Sequence, residues 1–128
     1  MDRHDVDLKR AAERRGRRGE LLATLMLVSK GYRIMGRRVR TKLGEIDLVV
    51  KSPSGVICFV EVKTREIGET ALEALRIPQQ MRIARAAELY LARQPALRGK
   101  GIRFDVVTLG SRGFPRHLPD AWRPEDWR

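Results

Sequence analysis

Over residues 44–65 the chain reads GEIDLVVKSPSGVICFVEVKTR, and four charged side chains stand there among apolar ones at strand spacing. Glu45 and Asp47 alternate with Ile46, Leu48 and Val50, while Glu61 and Lys63 alternate with Cys58, Val60 and Val62. A period of two puts each charged set on one face of a strand. Ser52-Pro53-Ser54-Gly55 between them is turn chemistry, with proline suited to the second turn position and glycine to the left-handed one. A three-residue loop with a glycine bulge makes Ser52 face Val56. That register predicts Asp47 opposite Glu61 and Glu45 opposite Lys63. Facing carboxylates repel each other and call for solvent or a cation. A hard divalent ion, Mg²⁺ or Mn²⁺, is commonly held by one or two carboxylates, with water and phosphate filling its shell. Lys63, one pleat along, would then place or polarise a water and offset charge on a phosphate. The same alternation also describes a half-solvated sheet face in which Glu45 and Lys63 form a plain cross-strand ion pair. Asp, then Glu-x-Lys, in register within so apolar a frame favours the metal site.

Other elements must position this hairpin. Residues 20–30 read as a helix with Leu21, Leu22, Leu25, Met26 and Val28 as its apolar face, stopped by Gly31. Glu20, in its early turns, suits a helix N-terminus as a favourable charge. Residues 32–41 should form a strand with a bulge at Gly36. Arg33, Arg37, Arg38, Arg40 and Lys42 crowd that stretch without an acid. Such density suits a surface that tracks phosphates or an edge strand guarded by charge.

A connection follows, with a short helical piece expected over 70–75. Pro78 opens a second long helix whose inward spacing is Met81, Ala84, Ala87 (or Glu88) and Leu91, ended at Gln94-Pro95. Arg82, Arg85 and Arg93 are left to line a binding face. Residues 102–109 are a strand with Phe104 and Val106 on one face. Three stretches result: a flexible basic segment over 1–16, a main domain over 17–110, and an irregular tail over 111–128 packed on it. Trp122 and Trp127 are expected to pin that tail, and a lone His117 in a loop makes neither a metal site nor a general base.

Composition narrows the partners. The 128 residues suffice for one domain with a real core. Net charge is +11, the sequence pI is about 11.0, and 21 of the 27 basic residues are arginine. Arginine's planar fork suits phosphate, so nucleic acid is the expected partner, and a membrane surface is not, for want of a basic amphipathic helix with exposed aromatics. The single cysteine, Cys58, excludes an internal disulfide and a Cys-based zinc cluster, and by period it faces away from Glu61. No secretory signal or long apolar run is visible, which predicts a cytoplasmic protein.

Asp47 followed by Glu61-Val62-Lys63 matches the PD-(D/E)xK nuclease motif. The surrounding wording resembles the YraN-like family of predicted endonucleases: Gly19-Glu20, Lys30-Gly31-Tyr32, Gly44-Glu45-Ile46-Asp47-Leu48, Phe59-Val60-Glu61-Val62-Lys63-Thr64-Arg65, Ala86-Ala87-Glu88-Leu89-Tyr90-Leu91 and Arg103-Phe104-Asp105-Val106-Val107. The resemblance spans roughly residues 17–109. It implies an α/β, restriction-endonuclease-like fold in the order α-β-β-β-α-β, a central mixed sheet flanked by helices. It implies a Mg²⁺-dependent endonuclease acting on DNA rather than RNA. Asp47, Glu61 and the Val62 carbonyl would hold the metal, Lys63 would position water, and Glu20 would join the catalytic set. Glu45, Thr64 and Gln79 would support them, while Arg37, Arg38, Arg40, Lys42, Arg65, Arg82 and Arg85 would bind nucleic acid. In the family a lysine often stands at the position of Gln79, so this chain lacks a charge there. Similarity to small Holliday-junction resolvases makes branched DNA a candidate substrate, cut by a homodimer. The alternative is a nucleic-acid-binding protein that keeps the fold and cuts nothing.

Overall fold

The structure is a computed structural model that describes residues 2–64, 75–110 and 114–125, without the side chains of residues 8–15. Its elements are α1 (Arg3–Ser29), β1 (Arg33–Thr41), β2 (Gly44–Lys51), β3 (Ile57–Thr64), α2 (Ile77–Ala92), a 3₁₀ turn (Pro95–Leu97), β4 (Ile102–Leu109) and β5 (Pro115–Trp122). They form a five-stranded sheet in the order β1-β2-β3-β4-β5. Only β3 and β4 run parallel, joined through α2 as a parallel pair requires. This is the α/β mixed sheet flanked by helices that the sequence predicts, with β5 added.

The β2–β3 turn follows its residues. Ser52 N–H donates to Val56 O at 2.8 Å, Gly55 N–H to Ser52 O at 2.9 Å, and Gly55 takes φ 94°. The ladder beyond it pairs Val50 with Cys58 and Leu48 with Val60, the register that the three-residue loop predicts. In β1 the register shifts between Ile34 and Gly36, the bulge expected at Gly36.

Each sheet face carries its own core. Under α2 lie Val49, Phe59, Phe104 and Trp122 with Ile83, Ala84 and Ala87; under α1 lie Leu48, Val50, Cys58, Val60 and Val107 with Ala23 and Leu27. Burying a side chain such as Leu27 or Phe59 contributes about 1.5–3 kcal/mol. Ile46 joins the Val49 cluster although Leu48 and Val50 face the other way, so the alternation of β2 breaks at Asp47. Cys58 is free and buried, and burial, then the charge of Asp105, pushes its thiol up to about 12.

Three expectations fail. Helix α1 begins at Arg3, its N-cap Asp2 accepting from Asp5 N–H at 2.9 Å. Alanine, arginine, leucine and glutamate are strong helix formers, and the charge of the stretch masked that propensity. The buried stripe of α1 is Gly19, Ala23 and Leu27, whereas Leu21, Leu22, Leu25 and Val28 are exposed. Small residues win because a Cβ on Gly19 would come within 2.4 Å of Leu109 Cδ1. For the same reason α2 buries Ile83, Ala84, Ala86 and Ala87 and exposes Met81. Finally, residues 115–122 are strand rather than irregular tail. Val106 pairs with Leu118, and Trp122 stacks on Phe104 with centroids 4.3 Å apart, so Trp122 does pin the segment. Trp127 and residues 70–74 of the expected short helix lie outside the described residues.

Gly31 ends α1 as predicted, at φ 89°. Its N–H donates to Val28 O and that of Tyr32 to Leu27 O, both at 3.0 Å. These two bonds are the Schellman closure of a helix, and they launch β1.

Candidate active site

At Asp47 the β2–β3 ladder passes from backbone to side chains. Val62 N–H donates to Asp47 Oδ2 at 2.8 Å, and Asp47 N–H donates to Glu61 Oε1 at 3.3 Å. Each carboxylate is thereby fixed by the backbone of the opposite strand. Only 4% of Glu61 is exposed. Burial and then the Asp47 charge raise the pKa of Glu61, and burial raises that of Asp47. The pair therefore retains a proton well above the ordinary carboxylate range, as closely coupled buried acids do.

A cleft of about 300 Å³ opens over the pair, lined by Glu20, Glu45, Asp47, Glu61, Val62, Lys63, Thr64 and Gln79 among others. The structure thus brings the expected catalytic and supporting residues together from both helices and two strands. Glu20 comes from α1, seated by the contact of Gly19 with Leu109; Gln79 comes from the first turn of α2. Glu45 and Lys63 share the cleft, but the described ladder stops at Leu48–Val60. Glu45 instead pairs with Arg40 of β1, Arg40 Nε standing 3.6 Å from its Oε2. Glu20 also has a partner, Arg38 Nε at 2.7 Å from Oε2.

The predicted nucleic-acid-binding residues fall into three places. Arg37, Arg38, Arg40 and Lys42 are exposed along edge strand β1 and its turn, beside the cleft. Arg82 is exposed on α2, where Gly44 packs closely: a Cβ on that glycine would meet Arg82 O at 3.3 Å. Arg85 lines a different groove with Met81 and Trp122, so the structure separates it from the acid pair. Arg65 lies outside the described residues.

The donor set fits a hard divalent ion. Two adjacent carboxylates and the Val62 backbone border an open cleft with room for water and phosphate, as Mg²⁺ sites do. Among the described residues no group of three or more His, Cys, Asp and Glu side chains is placed to hold a metal.

A second buried polar cluster escaped the sequence reading. Asp105 of β4 is fully buried and accepts from Arg103 Nε and Nη2 at 2.8 Å each. His117 Nε2 bonds it at 2.8 Å, and Asp120 N–H donates to it at 3.0 Å. Arg103 also donates to Tyr32 Oη at 2.8 Å, and Lys30 Nζ lies 2.6 Å from His117 Nδ1. Burial alone would raise the pKa of Asp105, but the bonds from His117, Arg103 and Asp120 outweigh it and hold the group down to about 2. The visible signal was Arg103 and Asp105 at strand spacing, both on the α1 face.

Sheet order, crossover and cleft together define an α/β protein in which buried Glu61 and half-buried Asp47 meet at the mouth of its central strands. The chain belongs to UPF0102, described as an uncharacterised protein family, whose model matches residues 19–109. It is 51% identical to a UPF0102 protein of Parvibaculum lavamentivorans over 114 residues, covering 89% of this chain and 85% of that one. A Caulobacter vibrioides relative is 46% identical over 112 residues, 88% of this chain and 89% of the other. One from Rhizobium etli is 44% identical over 115 residues, 90% and 93% of the two chains. Pyrococcus furiosus SfsA in complex with Ca²⁺ aligns at a TM-score of 0.25 and 11% identity, over 80% of this chain and 60% of that one. That score carries no weight for fold or function.

Proposed function

We propose that this protein is a Mg²⁺- or Mn²⁺-dependent endonuclease that hydrolyses phosphodiester bonds in DNA. The observation that carries this reading is the Asp47–Glu61 pair, a half-buried and a buried carboxylate fixed by each other's strands under an open cleft. Buried like charges cost stability unless a proton or a cation stands between them. Asp47, Glu61 and the Val62 carbonyl would hold the ion. Bound there, it would supply Lewis acidity toward a phosphate and a more acidic water.

The remaining roles belong to the chain's own groups. Lys63 borders the same cleft, where its ammonium orients the water and offsets charge gathering on the phosphate. Glu20 and Glu45 act from the rim, and Thr64 and Gln79 supply hydrogen bonds. Arg37, Arg38, Arg40 and Lys42 track the backbone of the bound strand, and the charge of +11 favours that encounter. In this reading DNA is preferred to RNA and the protein acts in the cytoplasm without a membrane partner; among the described residues no helix is long and apolar enough to cross a membrane. Cutting symmetric strands of branched DNA requires two copies of the site, hence a homodimer.

Gln79 favours a second reading. It lines the cleft without the charge of a lysine, and a weak or inactive nucleic-acid-binding protein is the result if that charge is required. Cleavage of four-way-junction, flapped, single-stranded and duplex DNA in Mg²⁺ or Mn²⁺ separates the two. Wild type should cut at least one substrate and Asp47→Asn should cut none. Equal cutting by both would remove the acid pair from the chemistry, and salt-sensitive binding without cutting would establish the second reading.

A further inference from the structure

Glu20 belongs to two clefts at once. Besides the one over the acid pair, it lines a neighbouring cleft of about 450 Å³ with Arg17, Leu21, Thr24, Arg37 and Arg38. Among the described residues, three guanidinium groups therefore share this second cleft with a single carboxylate. Backbone irregularity gathers them. The β1 bulge shifts the register before Gly36, and Arg38 takes φ 50°, a left-handed conformation uncommon outside glycine and asparagine. Arg38 Nε then reaches Glu20 Oε2 at 2.7 Å, while Arg37 has no carboxylate partner among the described residues.

We propose that this arginine cleft is the subsite for a backbone phosphate of bound nucleic acid, and that Glu20 is the counter-ion which that phosphate displaces from Arg38. The inference rests on the nucleic-acid reading above and deepens it. The two clefts share Glu20, so the subsite takes a phosphate flanking the one at the acid pair. A phosphodiester presents two free oxygens and a full charge to arginine forks. It can engage Arg37 and Arg38 together, with Arg17 close by. The Glu20 carboxylate meets Arg38 through one oxygen, Oε2. Displacement leaves Glu20 facing the cleft of Asp47 and Glu61, which ties occupancy of the flanking site to the arrangement of the reacting one.

The test is binding without metal, read by anisotropy of a fluorescent oligonucleotide in EDTA at low salt. Removing a like charge beside the phosphate should make Glu20→Gln bind about fivefold tighter. Arg37→Ala and Arg38→Ala should bind more weakly, each lowering the salt slope by about one. Lys100→Ala, at the opposite end of the sheet, removes the same charge and should change the slope less. In the Arg38→Ala background the gain from Glu20→Gln should vanish, as coupled groups require. A Glu20→Gln protein that binds no tighter than wild type overturns the proposal, as does a gain that survives without Arg38. Failure of wild type to bind overturns it as well. Because cleavage is not read, a protein that cuts nothing can still pass, and one that cuts can still fail.

Discussion

Asp105 and Glu61 are buried acids on adjacent strands of one sheet, and their surroundings drive them in opposite directions. Asp105 faces α1 and receives two N–H groups of Arg103, His117 and a backbone N–H. Glu61 faces the cleft and meets another carboxylate. Burial is common to both, so burial does not decide the outcome. Donors do. A buried carboxylate with its donors in place is structural; one set against its like is held in readiness for something that arrives.

The comparison breaks most visibly at Asp105. Asp105→Asn removes the charge that Arg103 needs while preserving the shape, and loss of a buried pair costs about 3–5 kcal/mol. Urea unfolding should show that loss, and a change under about 1 kcal/mol would mean that the network is not structural.

Acid sharpens the same contrast. The folded value of Asp105, about 2, lies below its ordinary 3.8. Its stabilisation, about 2 kcal/mol, is complete above pH 3.8 and is lost as pH falls toward 2. Glu61 has the reverse sign. Its folded pKa is raised above the ordinary 4.5, so the folded state holds the extra proton and metal-free stability falls as pH rises above that value. Glu61→Gln should melt higher than wild type at pH 8 in EDTA and flatten the alkaline slope. A steeper slope in Glu61→Gln would refute the shared-proton picture.

The smallest expected effect is that of added metal. At ten times its dissociation constant, Mg²⁺ or Mn²⁺ should stabilise wild type by about 1.4 kcal/mol and release the retained proton. Asp47→Asn should lose this thermal shift, whereas Asp105→Asn should keep it from a lower starting point. A shift unchanged in Asp47→Asn would place the ion elsewhere.

The parts legible in the sequence are those governed by neighbours in the chain. Ser52-Pro53-Ser54-Gly55 sets the hairpin register, and with it the meeting of Asp47 and Glu61; Gly31 ends α1; Gly36 marks the bulge. What escaped depends on distant partners. Leu21, Leu25 and Val28 look like an inward stripe by period, yet Gly19 and Ala23 allow the closer approach to the sheet and take the inside. Residues 115–122 contain two prolines and read as coil, because strand pairing with β4 and the stacking of Trp122 on Phe104 are invisible locally. His117 reads as a lone loop residue until β5 carries it to Asp105. Glu45 was expected against Lys63, but side chains replace the ladder at Asp47 and leave Glu45 to Arg40.

The Asp105 cluster also sets an order of assembly. Asp47 and Val62 are 15 residues apart, so their bond can form as soon as the hairpin closes. Arg103 lies 71 residues from Tyr32, and His117 lies 87 from Lys30. Contacts so remote pay their loop-closure entropy before any reward, and they form late. On the ribosome the hairpin that bears the acids emerges well before β5. The nascent chain therefore holds the acid-bearing hairpin against β1, α2 and β4 before the Asp105 network exists, and His117 joins that network last.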